Sequence, residues 1–214
     1  GVQTCALPIW RIIMVNPLQS RTGTVITGVI LALIIAVLLK TPDANGVITY
    51  AVNPLEINVW LHAIVGIAWV GLLYYFNGIQ IPAVGAALAD GDPGPAAINK
   101  YIAPRALFWF RWAAVLTWIT GVGALQHMGG LHGAFTFAEG WQVIGMGAWL
   151  GTIMLINVWV LIWPNQQKIL GLKEASPEEI AKAKVVALMA SRTNTALSFP
   201  MLLGMTSFGH GLPF

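Results

Sequence analysis

VITGVILALIIAVLL, residues 25–39, holds no charged side chain and only one hydroxyl. With the residues around it, from about Thr22 to Leu39, it comes close to the roughly 20 helical residues that cross a hydrocarbon core of about 30 Å. The run is continuous rather than alternating, so it reads as helix and not strand. In lipid a lone strand would also leave its backbone groups unpaired.

Four more apolar stretches follow: Ile57 to Pro82, Pro104 to Gln126, Trp141 to Trp163, and about Val185 to Phe208, the last interrupted by Pro200. Only 9% of the 214 residues are charged, and 10 are tryptophan. A soluble domain carries roughly 25% charged residues, so these cannot cover a water-facing surface. The net charge of +3 comes from basic residues that form no run, which argues against nucleic acid and for topology signals between spans. The fold class that follows is all-α: a polytopic membrane protein of about five transmembrane helices. The second to fifth form a four-helix core bundle. The first, apolar on every side, is expected to pack peripherally.

Residues 11–214 read as a single transmembrane helical domain. Residues 1–10 are set apart, because GVQTCALPI matches the in-frame translation of a common sequencing-library adapter. The alternative is an ordinary disordered tail; on the adapter reading the natural start is Met14. Cys5, the one cysteine, falls in this segment, so the remainder offers no thiol for disulfides, iron–sulfur clusters or cysteine zinc sites.

Two connections carry structure of their own. Gln80 to Tyr101 is Ala-rich and breaks at Asp90–Pro95, and Ser176-Pro-Glu-Glu179 has the pattern of a capped helix start.

Arg11 and Arg21 precede the first span, Lys100 and Arg105 separate the second from the third, and Lys168, Lys173, Lys182 and Lys184 separate the fourth from the fifth. The loop His127 to Gly140 has no Lys or Arg. The positive-inside bias therefore places the N-terminus in the cytoplasm and the C-terminus outside, in the inner membrane of a bacterium.

That topology gathers all four histidines on the outer side. His62 lies within the second span, His127 closes the third, His132 is in the outer loop, and His210 follows the fifth. Neutral imidazole ligates haem iron, copper or zinc, so all four are candidate metal ligands. The strongest is His62, because an ionisable side chain inside a span faces the bundle or a cavity. Its competing reading is a hydrogen-bonded packing residue, and the others can equally be solvated loop residues. Gly66 and Trp69 share the His62 face and could border a planar cofactor, with His127 or His210 as second ligand.

Met128, Met146, Met201 and Met205 raise copper as an alternative, although methionine is ordinary packing material. Arg111, inside the cytoplasmic end of the third span, either snorkels or contacts an anion or substrate. Arg192 and Asn194 offer the same choice: a cytoplasmic anchor, or a polar cluster with Arg111, Asn157 and Asn77.

The stretches WLHAIVGIAWVGLLYYFN (60–77), FWFRWA (108–113), NVWVLIWPNQ (157–166) and ASRTNTALSFPM (190–201) together resemble the membrane domain of bacterial membrane-bound urate oxidases. SRTNT is the most specific part. The resemblance implies an oxidoreductase, or a subunit of one, in purine catabolism. In that family a longer membrane domain is followed by a cytochrome c domain. No haem c motif stands in this sequence, so the implied electron partner is a separate cytochrome or a quinone. The H-x6-W helix, His62 to Trp69, more distantly resembles the four-helix membrane haem proteins of the protoporphyrinogen-oxidase and copper-resistance type, which implies b-type haem. The other function class is a non-enzymatic membrane protein that binds or moves a metal or small solute.

The topology is checked by a reporter fused to the C-terminus. Activity on the outer side of the membrane is expected, and a fusion active only in the cytoplasm would reverse the orientation.

Overall fold

The computed structural model describes residues 16–213, and these contain helices and no strand. The expectations for residues 1–10, Cys5 and Met14 fall outside the described residues. The chain divides into two units, one up to Val52 and one from Asn53 onward.

The first unit is α1, Arg21–Leu38, preceded by a 3-10 turn. Ser20 caps it by accepting a hydrogen bond from the Gly23 amide at 3.0 Å. Beyond it, Asp43 accepts from the backbone N–H groups of Asn45 and Val47, both at 2.9 Å. The Val47 and Asn45 amides hold its carboxyl below the usual carboxylate range.

The second unit is the expected four-helix core. Its long helices are α2 (Pro54–Tyr75), α4 (Ala103–His127), α6 (Gln142–Asn157) and α8 (Pro177–His210), with shorter α3 (Ile81–Asp90), α5 (Leu131–Thr136) and α7 (Trp163–Ile169). The long helices alternate in direction. His62 lies against Gly121 while Asn58, one turn earlier, lies against Gly123. Tyr74 meets Ser198 and Asn77 meets Ser191, so α8 returns antiparallel beside α2. Trp69, Leu73, Phe110, Met154 and Val158 fill the centre, and the Phe76 and Phe110 rings meet edge to face at 5.5 Å.

Four helical stretches are long and apolar enough to cross a membrane: Arg21–Leu38, Pro54–Asp90, Ile98–His127 and Gln142–Ile169. The fifth stretch expected from the sequence lies inside α8, which is not among them. Ser191, Arg192, Asn194 and Ser198 dilute its apolar content. Three of these, Ser191, Asn194 and Ser198, are buried inside the bundle, while Arg192 is exposed; α8 packs along α6.

Prolines shape one end of the bundle. Pro82, Pro104 and Pro164 each follow a five-residue π turn, at Phe76–Gln80, Ile98–Ile102 and Val158–Ile162. A proline inside a helix has no N–H to donate and its ring clashes with the carbonyl four residues earlier. Widening the preceding turn relieves that clash and keeps the helix running. At the same end Ser176 and Glu179 form a reciprocal capping box on α8. The Ser176 backbone N–H and then Lys168, 3.3 Å away, hold the Glu179 carboxyl below its usual range.

Glycine shapes α6 against α8. A Cβ on Gly204 would lie 2.8 Å from both the Gly147 amide nitrogen and the Val143 carbonyl oxygen. Gly151, the second glycine of Gly147-x-x-x-Gly151, has nothing within 4 Å of its Cβ position. Only the first glycine is thus needed for close approach. Gly204→Ala should destabilise the folded protein in detergent by about 1–3 kcal/mol. Gly151→Ala should leave its melting temperature unchanged or raised, and equal losses at both positions would refute this packing.

Candidate functional site

One end of the bundle forms a half-open cavity of about 560 Å³, lined by α2, the second half of α4, the first part of α6 and the end of α8. Its walls are mostly carbon. Among its lining residues, His62, Trp69, Thr117, Trp118, Thr206 and His210 carry polar side-chain atoms.

His62 is half-buried and turned into the bundle. Its Nδ1 lies 2.8 Å from the Thr117 carbonyl oxygen of α4. A carbonyl can only accept, so Nδ1 carries the hydrogen and donates it. In the neutral ring this leaves Nε2 with a free lone pair. The ring rests on Gly121, where a Cβ would lie 2.9 Å from Cε1, 3.1 Å from Nδ1 and 3.8 Å from Nε2. A ligand histidine fixed through its other nitrogen by a backbone carbonyl is the usual arrangement at metal centres. Trp69 is 2% exposed, and its indole N–H lacks a hydrogen-bond partner among the described residues.

The other histidines are divided. His210 lines the cavity, is exposed, and donates through Nδ1 to the Thr206 carbonyl at 3.0 Å. His127 donates to the Gly123 carbonyl at 2.7 Å and is not a wall residue. His132, on α5, is exposed beside Thr136 and is not one either. Among the described residues no group of three His, Cys, Asp or Glu side chains is placed to hold a metal ion. Gly66 faces the Thr117 methyl group at an ordinary 3.7 Å. The tight places between α2 and α4 are instead Gly121 and Gly123, which sequence reasoning passed over. Small residues one turn from each side of His62 and Asn58 on the partner helix were the available signal.

The glycines of His127-x-Met-Gly-Gly-x-His132 also have a packing role. A Cβ on Gly130 would run into the Trp141 ring, and one on Gly133 would lie 2.7 Å from it. Trp141 in turn stacks on Phe208 at 5.5 Å. Trp149 donates its indole N–H to the Phe135 carbonyl at 3.0 Å, so α5 is pinned across the cavity end.

Below the cavity lies a polar layer. Asn194, fully buried, donates to the Met154 carbonyl at 3.0 Å and accepts from Asn157 at 2.7 Å. Asn157 also donates to the Ala190 carbonyl at 2.9 Å, and Asn77 donates to the Ser191 hydroxyl at 2.8 Å. The layer ties α2 and α6 to α8. Of the residues grouped as an anion cluster, Asn194 sits in this layer and Arg192 is exposed. Arg111 lies over the Trp163 ring at 3.4 Å.

The amide pair is testable by a double-mutant cycle on Asn157→Leu and Asn194→Leu, measured by unfolding in mixed micelles. A coupling of about 0.6–1.7 kcal/mol is expected; additive losses would mean that the pair contributes no interhelical bond.

Residues 131–214 match the family described as urate oxidase N-terminal. The match begins at α5 and includes two of the stretches that carry the resemblance, 157–166 and 190–201, so this part of the chain is similar to that family. It supplies the α6 and α8 walls of the cavity, with Met201, Met205 and His210. No curated protein and no solved structure matches the chain.

Proposed function

We propose that this chain, related to the urate oxidase N-terminal family, is a membrane redox protein. It would hold b-type haem in the His62 cavity and pass electrons to a separate cytochrome or a quinone. The observation that carries the reading is the His62 imidazole, fixed through Nδ1 on the Thr117 carbonyl with Nε2 left free.

The residues present fit such a group. The walls are apolar, as a macrocycle needs, and His62 would hold the iron with His210 as second candidate at the same cavity. Protein side chains alone offer no three-ligand centre among the described residues. A porphyrin supplies four of its own nitrogens, so one or two histidines suffice, which favours haem over copper. Bound haem would supply one-electron chemistry.

The protein's own part is to fix the imidazole. The Thr117 carbonyl sets the His62 tautomer, and a donated hydrogen bond raises the basicity of the free nitrogen. Trp141, Phe208 and α5 pack at the cavity end. The positive-inside reading sets the basic end, with Lys100, Arg105, Lys168 and Lys184, in the cytoplasm of a bacterium. The cavity then faces the outer side, where a separate cytochrome can approach.

The test is the absorbance of protein purified in detergent with haem supplied during expression. A Soret band is expected, lost in His62→Ala with membrane insertion retained. A band that survives in His62→Ala overturns the ligand assignment. Wild type without any band overturns the haem reading and favours a non-enzymatic binder of a small apolar solute.

A further inference from the structure

At the basic end of the bundle, away from the cavity, Arg111 sits inside the helix rather than at its tip. Arg111 lies eight residues into α4 from Ala103, about 12 Å at 1.5 Å per residue. The ion pair found among the described residues is Lys168 with Glu179, and Arg111 has no carboxylate beside it. Its guanidinium is laid over the Trp163 ring at 3.4 Å, with the Trp159 ring at 5.7 Å. That stacking occupies the face of the guanidinium and leaves its edge, which carries the N–H donors, unused.

Two donors are buried there without a partner among the described residues: Arg111 Nε and Trp159 Nε1. Both belong to the same cation–aromatic group. Trp159 is itself held from the far side by Trp112, edge to face at 5.5 Å, so its ring has little freedom to turn away. The position of both indoles follows from Pro164. It opens the π turn Val158–Ile162, which contains Trp159 and ends just before Trp163. An unpaired charge within a membrane span is costly, and a buried N–H without a partner adds to that cost. A group that accepts from both donors and carries negative charge relieves both penalties at once.

We propose that Arg111 and Trp159 form a binding site for an oxyanion, a phosphate or similar group. It is delivered either by the headgroup of an anionic lipid or by a free soluble anion. The site is separate from the His62 cavity and does not depend on haem. Guanidinium binds such a group through two parallel N–H bonds, and the indole N–H supplies a third donor. Arg192 is exposed on α8 and takes no part.

The experiment measures the melting temperature of the full chain in a neutral detergent with three separate additions: short-chain phosphatidylglycerol, short-chain phosphatidylcholine, and sodium phosphate at constant ionic strength. Phosphatidylglycerol is expected to raise the melting temperature above phosphatidylcholine. Sodium phosphate giving the same rise identifies a free oxyanion as sufficient, and phosphatidylglycerol alone giving it identifies the lipid headgroup. Trp159→Phe keeps the ring but loses the N–H, and should lose about half or more of the shift. Arg111→Gln should abolish it; should that variant not fold, Trp159→Phe decides. Arg105→Gln, which alters an exposed cation bonded to the Tyr101 carbonyl, should keep the shift. No anion-dependent shift in wild type, a full shift in Trp159→Phe, or equal loss in Arg105→Gln overturns the site.

Discussion

In hydrocarbon a side-chain amide has no water as a fallback, and this constraint decides how α8 sits in the bundle. Ser191, Asn194 and Ser198 lie one turn apart along one face. That face must turn inward, where Met154, Asn157, Asn77 and Tyr74 meet it with donors and acceptors. With the face fixed, Gly204 is brought against Gly147, and the two backbones close to a distance that no Cβ would allow. The remaining helices then close around this pair. Each interhelical bond is worth only about 0.6–2 kcal/mol, but the cost of the reverse orientation, three polar groups in lipid, is larger.

The two ends of the bundle are built by different residues. At the cavity end, glycines let aromatic rings lie flat on backbone: Trp141 on Gly130 and Gly133, and the His62 imidazole on Gly121. At the other end, prolines open π turns and the indoles of that region surround a cation. One end is thus carbon-lined with a free imidazole nitrogen, and the other is rich in donors. This division suits a protein that holds an apolar group on one side of the membrane and meets charged headgroups on the other.

The relationship to the urate oxidase N-terminal family covers residues 131–214, while His62, Trp69 and Arg111 lie before it. The candidate cavity therefore combines walls from the matched segment with its most distinctive residue from outside it. The physical case for His62 stands on its contact with Thr117 and not on the match.

Composition and unbroken apolar runs determined that the chain is a bundle of membrane helices, because lipid leaves few alternatives. Ser176 and Glu179 marked the start of α8 through local capping, which depends on neighbours in sequence only. The sequence also singled out His62, since an ionisable group within a span favours the bundle interior, and the structure places it against the Thr117 carbonyl. It ranked α8 with the other spans by apolar length, whereas the structure shows a more polar helix that buries Ser191, Asn194 and Ser198. It placed the small residue for close approach at Gly66 rather than at Gly121 and Gly123. Which imidazole shares the cavity with His62, and that Arg192 parts company with Asn194, were settled by tertiary structure alone. Both depend on how each helix is rotated about its axis. Rotation is set by contacts between distant residues, and a single sequence does not encode those pairings at any fixed spacing.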